Sequence, residues 1–309
     1  ASAVRGITMR GGTILGTANR GNPFQMPVAG AQGEGRLVDR SDEVIRRFEE
    51  HGIDVLVAIG GDGSMRIANR MRQKGIRVVG VPKTIDNDIW GCDVSLGFDT
   101  AVTTATEAID KLTTTAESHQ RIMVIEVMGR HAGWIALHAG MAASADTVLI
   151  PEIPFSLDAV ARHIRRRYED GQTYSLVVVA EGAHERGKDV MIKGQSLGQS
   201  PQLGGIADHL ADQLGALTGK ESRSIVLGHL QRGGTPSPYD RLISLRFGAE
   251  AIRAIEEQDF DKLVVMRENR LIRIPIAETA DRTKTVPLES DTLRTAREIG
   301  IELGDGSTR

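Results

Sequence analysis

The sequence predicts an α/β protein with mainly parallel sheets and helices on both faces. Two observations predict this class. Short β-branched runs alternate with stretches of helical periodicity, and each run is followed by a cluster of glycines, acids or cations. Strands that alternate with helices pair in parallel, because the return crossing accommodates a helix. A chain of 309 residues, 40% of them hydrophobic, can bury a sizeable core, and this length corresponds to about two domains.

The runs are Val55 to Ile59, Val78 to Val81, Met123 to Val127, Leu176 to Val179 and Ser224 to Leu227. Apolar residues occupy consecutive positions in them, so each reads as a strand buried on both faces. Ser41 to Glu50, Thr100 to Ser118, Leu157 to Glu169, Gly205 to Leu217 and Asp240 to Glu257 have amphipathic helical spacing. The glycine-rich and glutamine-rich stretch from His184 to Gly205 reads as an excursion between a strand and the next helix. Ala277 to Val286 reads as a charged connector, and Leu288 to Leu303 as a final helix. Trp90 and Trp134 read as packing residues.

Charge and cysteine usage narrow the function classes. Lysine plus arginine number 38 against 41 acids, a net charge of -3, which points away from a nucleic-acid or membrane surface. An anionic ligand must therefore be met by local arginines. The lone Cys92 allows no internal disulfide, and no Cys/His spacing suggests zinc, so a reducing cytoplasm is the expected compartment. No stretch approaches the ~20 apolar residues of a membrane span, and the polar start lacks a signal-peptide core.

In open α/β sheets ligands bind beyond the carboxyl ends of the strands. Gly60-Gly61-Asp62-Gly63-Ser64 follows a strand and precedes a helix. Its glycines let backbone N–H groups approach a phosphate, the helix N-terminus favours negative charge, and Asp62 can hold magnesium. The plainer alternative is a glycine turn with Ser64 as a helix cap. Pro82 to Asp88 is more specific, because it sets two carboxylates two residues apart beside the Thr84 hydroxyl and the Asn87 amide. Phosphoryl transfer to an alcohol needs one carboxylate to take the proton and neighbours to hold metal-bound phosphates. The competing reading is an Asx-rich turn. Arg121, Arg130, Arg223 and Arg232 flank strands, where guanidinium forks can clamp phosphate. His229, and Glu181 as a hydroxyl acceptor, join them.

These motifs, with Gly97-Phe98-Asp99-Thr100-Ala101, Ser118-His119-Gln120-Arg121, Glu126-Val127-Met128-Gly129-Arg130 and Leu227 to Gly234, resemble the 6-phosphofructokinase family from about Gly11 to the C-terminal helix. The resemblance implies two Rossmann-like three-layer α/β/α domains: a phosphoryl-donor domain at 1–97 plus 231–281, and a fructose 6-phosphate domain at 98–230 plus 282–309. It implies that Asp86 is the base for the 1-hydroxyl of the sugar, with Thr84 beside it and Arg130 as a third catalytic group. Asp62 and Asp88 would serve Mg2+, while Arg20, Gly61, Asp62, Gly63, Ser64 and Lys83 would meet the donor. Met128, Gly129, Arg130 and Glu181 would line the sugar, and His229 and Arg232 would bind its 6-phosphate. Arg121 and Arg223 would reach the site of a neighbouring subunit, so a homo-oligomer, tetramer or dimer, is expected. Near Arg20 the alignment shifts by one residue, leaving Asn19 as an alternative.

Three departures from the family pattern carry their own expectations. The family's opening strand and glycine-rich loop are absent, so the chain reads as a fragment with an incomplete donor domain and weak turnover of its own. Gly63 leaves room for the α-phosphate of ATP, whereas Lys83 is typical of pyrophosphate users, so ATP is the expected donor and pyrophosphate the alternative. Asp170 and Gln172 flank Gly171 where regulated bacterial members carry basic residues, which argues against control by nucleotides and phosphoenolpyruvate. Other readings are a non-catalytic sugar-phosphate sensor, or a lipid or NAD kinase sharing only Gly-Gly-Asp-Gly.

Overall fold

The computed structural model describes residues 4–17, 21–29, 35–194 and 201–307. Two compact units divide the chain: Ala1–Gly97, Gln195–Pro201 and Thr235–Lys284 form one, and Phe98–Gly194, Gln202–Gly234 and Thr285–Arg309 the other.

The first unit contains the hairpin β1 (Met26–Ala29) and β2 (Gly35–Val38), then α1 (Ser41–Glu50), β3 (Leu56–Gly60), α2 (Asp62–Gln73), β4 (Val78–Pro82), α7 (Pro238–Glu256), β11 (Lys262–Arg267) and β12 (Arg270–Pro275). Its four-stranded sheet has the order β12-β11-β4-β3. The last three strands of that order run parallel, and β12 returns antiparallel. Glu268 and Asn269, both at positive φ (48° and 60°), make the two-residue turn into β12, the conformation that suits the twist of a tight hairpin. Met65 and Ala68 of α2 and Ile243, Phe247 and Ala251 of α7 pack on Val79, Val81, Leu263 and Val265. Full burial of a side chain such as Phe247 contributes about 1.5–3 kcal/mol. Glycine at position 80 lets this core close, since a Cβ there would lie 2.8 Å from Leu263 Cδ1.

The second unit contains α3 (Phe98–His119), β5 (Ile122–Val127), α4 (Trp134–Ala142), β6 (Thr147–Leu149), α5 (Leu157–Glu169), β7 (Ser175–Ala180), the short pair β8 (Ile192–Gly194) and β9 (Gln202–Leu203), α6 (Ile206–Thr218), β10 (Ser222–Val226) and α8 (Asp291–Glu298). Its four-stranded sheet, β10-β5-β7-β6, is wholly parallel. Val177 and Val179 face α5 and α6 through Val160, Ile164, Ile206 and Leu210. The alternate residue Val178, with Val148, faces Gly140 of α4, so helices cover both faces of this sheet.

Several local expectations change. Two of the five runs are not buried on both faces: Ile59 is 55% exposed in β3, and Ile225 and Val226 are 39% and 44% exposed in β10. Among the described residues both strands stand at sheet edges, where no further described strand covers one flank. The final helix is shorter than Leu288 to Leu303. Ser290 caps it by accepting from Leu293 N at 3.4 Å, and Gly300 at φ 90° ends it; Glu302 then bridges to Thr147. The 277–286 segment is more than a connector. Lys284 is largely buried, with Nζ donating to the carbonyls of Cys92 (2.7 Å) and Asp93 (2.9 Å), and burial lowers its pKa to about 8. Trp90 is 39% exposed, with Arg282 over its ring at 5.3 Å.

Candidate active site

In the first unit, the carboxyl ends of β3 and β4 bring two motifs together. Their register pairs Gly60 with Pro82, and Lys83 N donates to Gly60 O at 2.8 Å. Gly61 is the N-cap of α2, and a Cβ on it would lie 3.3 Å from Thr84 Cβ. A Cβ on Gly60 would lie 2.3 Å from Ser64 Oγ. The glycines therefore allow the helix start to sit against the strand end. At Gly63, by contrast, a Cβ would meet nothing within 4 Å. Lys83 and Ser64 are exposed, and Asp62, paired with Arg66, is half-buried.

The segment after β4 separates into a buried scaffold and a pair of half-buried polar side chains. Thr84 Oγ1 donates to Asp86 Oδ2 at 3.3 Å and accepts from Asp86 N at 3.2 Å. Asn87, buried at φ 53°, accepts from Ser95 N at 3.0 Å and donates to Asp93 O at 3.3 Å. Ser95 Oγ in turn donates to Thr84 O at 2.7 Å. The amide of Asn87 thus shapes the turn, while Asp86 and Thr84 remain half-buried.

Asp88 reports the field of this cluster. Burial, reinforced by the negative charges of Asp86 and Asp62, pushes its carboxyl up to about 7. Its Oδ1 is buried and has no hydrogen-bond partner among the described residues. Three interacting carboxylates and an orphaned oxygen fit a hard divalent cation. Among the described residues no group of three or more His, Cys, Asp or Glu is placed to hold a metal ion by itself, so an Mg2+ site here would rest on one or two carboxylates, with phosphates and water completing the shell. In metal-free protein the stability from protonated Asp88 is present below the unfolded carboxyl range, about pH 4. It is lost as pH rises through about 7. Asp88→Asn is expected to flatten the fall in Tm across that window, and an unaltered Tm–pH profile contradicts this.

In the second unit, the carboxyl ends of β5 and β7 are pressed together. Glu181 N donates to Val127 O at 2.9 Å and Gly182 N to Gly129 O at 3.1 Å. Gly129 adopts φ 141°, backbone that favours glycine. Gln231, absent from the sequence-based site, is buried and accepts from Met128 N at 3.3 Å while donating to Gly228 O at 3.2 Å. It ties the 3-10 turn Gly228–Arg232 to the end of β5 and leaves His229 and Arg232 exposed on that turn. Its place between those two residues was the only sequence signal for it.

The four arginines do not form one cluster. Arg130 follows the carboxyl end of β5, and Arg232 lies beyond the end of β10. Arg121 precedes β5 and Arg223 lies near the start of β10, at the opposite end of the same parallel strands. Six residues of strand separate the ends of β5, roughly 20 Å at about 3.3 Å per residue. Arg121 and Arg223 instead share Glu221, whose two oxygens lie 3.0 Å from Arg121 Nε and 2.6 Å from Arg223 Nη2. The Arg121 contact is an ion pair with its N–H out of line rather than a straight hydrogen bond. Arg20 and its alternative Asn19 lie outside the described residues.

Strand-end glycines at a helix start, a hydroxyl–carboxylate pair and neighbouring acids define a phosphotransferase of the open α/β class. Comparison with known proteins supplies the family. The phosphofructokinase family model matches residues 1–255. ATP-dependent 6-phosphofructokinase of Chloroflexus aurantiacus is 47% identical over 304 residues, covering 98% of this chain and 82% of that protein. The pyrophosphate–fructose 6-phosphate 1-phosphotransferase of Amycolatopsis methanolica is 48% identical over 290 residues, 93% of this chain and 81% of its own. Phosphofructokinase from Saccharomyces cerevisiae superposes with a TM-score of 0.74 at 32% identity, over 90% of this chain and 38% of that one. The chain belongs to the phosphofructokinase family. Among the described residues no helix is long and apolar enough to cross a membrane.

Proposed function

We propose that the protein transfers the γ-phosphoryl group of ATP to the 1-hydroxyl of fructose 6-phosphate, giving fructose 1,6-bisphosphate and ADP. The observation that carries this reading is that Asp62, Asp86 and Asp88 lie near enough at two adjacent strand ends to act on one another, with the Thr84 hydroxyl donating to Asp86. Asp86 takes the proton of the 1-hydroxyl as its oxygen bonds to the γ-phosphorus and the bond to the β–γ bridging oxygen breaks. The Thr84 hydroxyl, which donates to Asp86 at 3.3 Å, meets the transferring group in this reading. Arg130 offsets charge that develops there. Asp62 and Asp88 would hold Mg2+, which when bound neutralises phosphate charge.

Gly61, Ser64 and Lys83, with Arg20, meet the donor. The open volume at Gly63 supports ATP, because it leaves space that an acidic side chain would fill. Met128, Gly129 and Glu181 line the sugar, and His229 and Arg232 bind its 6-phosphate. The opposed placement of Arg121 and Arg223 supports the reading that this pair serves a neighbouring subunit of a homo-oligomer. Arg232→Ala is expected to raise KM for fructose 6-phosphate by about tenfold or more, as for loss of a charge-assisted phosphate contact. Steady-state kinetics check this; a variant altered only in kcat places the 6-phosphate elsewhere.

A further inference from the structure

We propose that Glu221 is a positioning residue that holds Arg121 and Arg223 as a single phosphate-gripping pair. This rests on the reading that those two arginines bind a sugar phosphate. Its basis is the shared carboxylate, one oxygen to each guanidinium, and the backbone that aims it. Glu221 O accepts from Ile122 N at 2.9 Å, extending the β5–β10 register by one residue so that Glu221 stands opposite Arg121.

The carboxylate contributes little to the fold. The side chains of Arg121, Glu221 and Arg223 are 24%, 43% and 59% exposed, and exposed ion pairs add little stability. Its effect is on the arginines themselves. Two guanidiniums drawn to one place repel each other, and each long side chain has many rotamers to lose when it meets a ligand. A carboxylate between them offsets the repulsion and restricts both side chains before the phosphate arrives, so less ordering is left to binding. Geometry leaves Arg121 the more open of the two: Glu221 faces its Nε and leaves both Nη groups for a ligand, whereas Arg223 is held at Nη2 by Glu221 and at Nη1 by Ser222 O at 3.2 Å, so that its exposed guanidinium offers Nε. The guanidiniums hold the Glu221 carboxyl below its ordinary range, with Arg121 the larger influence, so it stays ionised where the enzyme works.

The test is a set of kinetic variants in the intact enzyme, with fructose 6-phosphate varied at saturating donor. Glu221→Ala is expected to raise KM for the sugar phosphate about 5–20-fold with kcat changed by less than about threefold, the pattern of lost ground-state binding. Glu221→Gln, which keeps one acceptor oxygen, is expected to fall between. In an Arg121→Ala/Arg223→Ala background Glu221→Ala is expected to add less than about twofold, because the three side chains act as a coupled unit. A KM that is unchanged or lowered in Glu221→Ala overturns the proposal, a lowered value meaning that the carboxylate competes with the phosphate. A full effect of Glu221→Ala in the double-arginine background also overturns it. If Glu221→Ala does not fold, Glu221→Gln carries the same criteria. Arg121→Ala and Arg223→Ala alone separate the two readings: if neither raises KM, these arginines do not bind the sugar phosphate, whatever Glu221 does.

Discussion

Replacing Asp86 by alanine is expected to lower kcat by roughly 10²–10⁴-fold, the range associated with a positioned general base, with a smaller change in KM for the sugar. The expectation follows from the position of Asp86 in the turn after β4. One oxygen of its carboxylate accepts from Thr84 Oγ1, which restricts its rotamer, and the scaffold beneath it is the Asn87–Ser95 network. Removing the carboxylate therefore leaves the turn intact and takes away the proposed proton acceptor. Asp86→Asn is the sharper control, since it keeps the shape and loses the basicity. Single-turnover and steady-state rates check this, and an unchanged kcat in both variants removes the role.

Gly182→Ala is expected to damage both the fold and sugar binding. A Cβ at this position would lie 2.0 Å from Arg130 O and 2.9 Å from Gly129 O. Both obstacles are backbone, so no side-chain rotation relieves them, and the strand ends of β5 and β7 must part. Forcing extra volume into a packed site costs about 1–3 kcal/mol, occasionally more. The parts displaced are Met128, Gly129, Arg130 and Glu181, and misplacing a positioning residue by about 1 Å can cost ~10²-fold. The expected result is a clearly lower Tm together with a KM for the sugar phosphate raised about tenfold or more. Gly248→Ala is the companion control, because a Cβ there meets nothing within 4 Å in α7, and alanine favours a helix interior. A Gly182→Ala protein with the parental Tm and KM refutes this view of the strand ends.

Most of the alternation of strands and helices was legible, because two-face burial leaves long β-branched runs and one-face burial leaves helical periodicity. What escaped had no such signature. Helix α4 is apolar nearly all round, from Trp134 to Ala142, so it shows no amphipathic face. The hairpin of β11 and β12 turns on Glu268 and Asn269, without the glycine that usually marks so tight a turn. Edge exposure in β3 and β10 depends on which strands are neighbours, which a local run cannot reveal.

The site shows the same division. Residue types at fixed spacing pointed to Asp62, Thr84, Asp86 and Asp88, since phosphoryl transfer calls for those groups within a few residues of one another. The same spacing could not separate Asn87, which shapes the turn, from the acids on either side. Glu221, Gln231 and Lys284 act through contacts distant in sequence, from Met128 to Gln231 and from Asp88 to Lys284. Nothing local distinguishes such residues from other polar side chains. That Arg121 and Arg223 sit at the amino ends of their strands was visible in the order of residues, but its consequence needed the parallel register of β5 and β10.

The most direct test of the account is a parallel initial-rate measurement on the intact enzyme with fructose 6-phosphate, Mg2+ and either ATP or pyrophosphate, with fructose 1,6-bisphosphate followed as product. ATP is expected to support turnover, in keeping with the open volume at Gly63, and chelation of the metal to abolish it. Turnover with pyrophosphate alone would contradict the donor assignment, and sugar-phosphate binding with no product from either donor would contradict the proposed reaction itself.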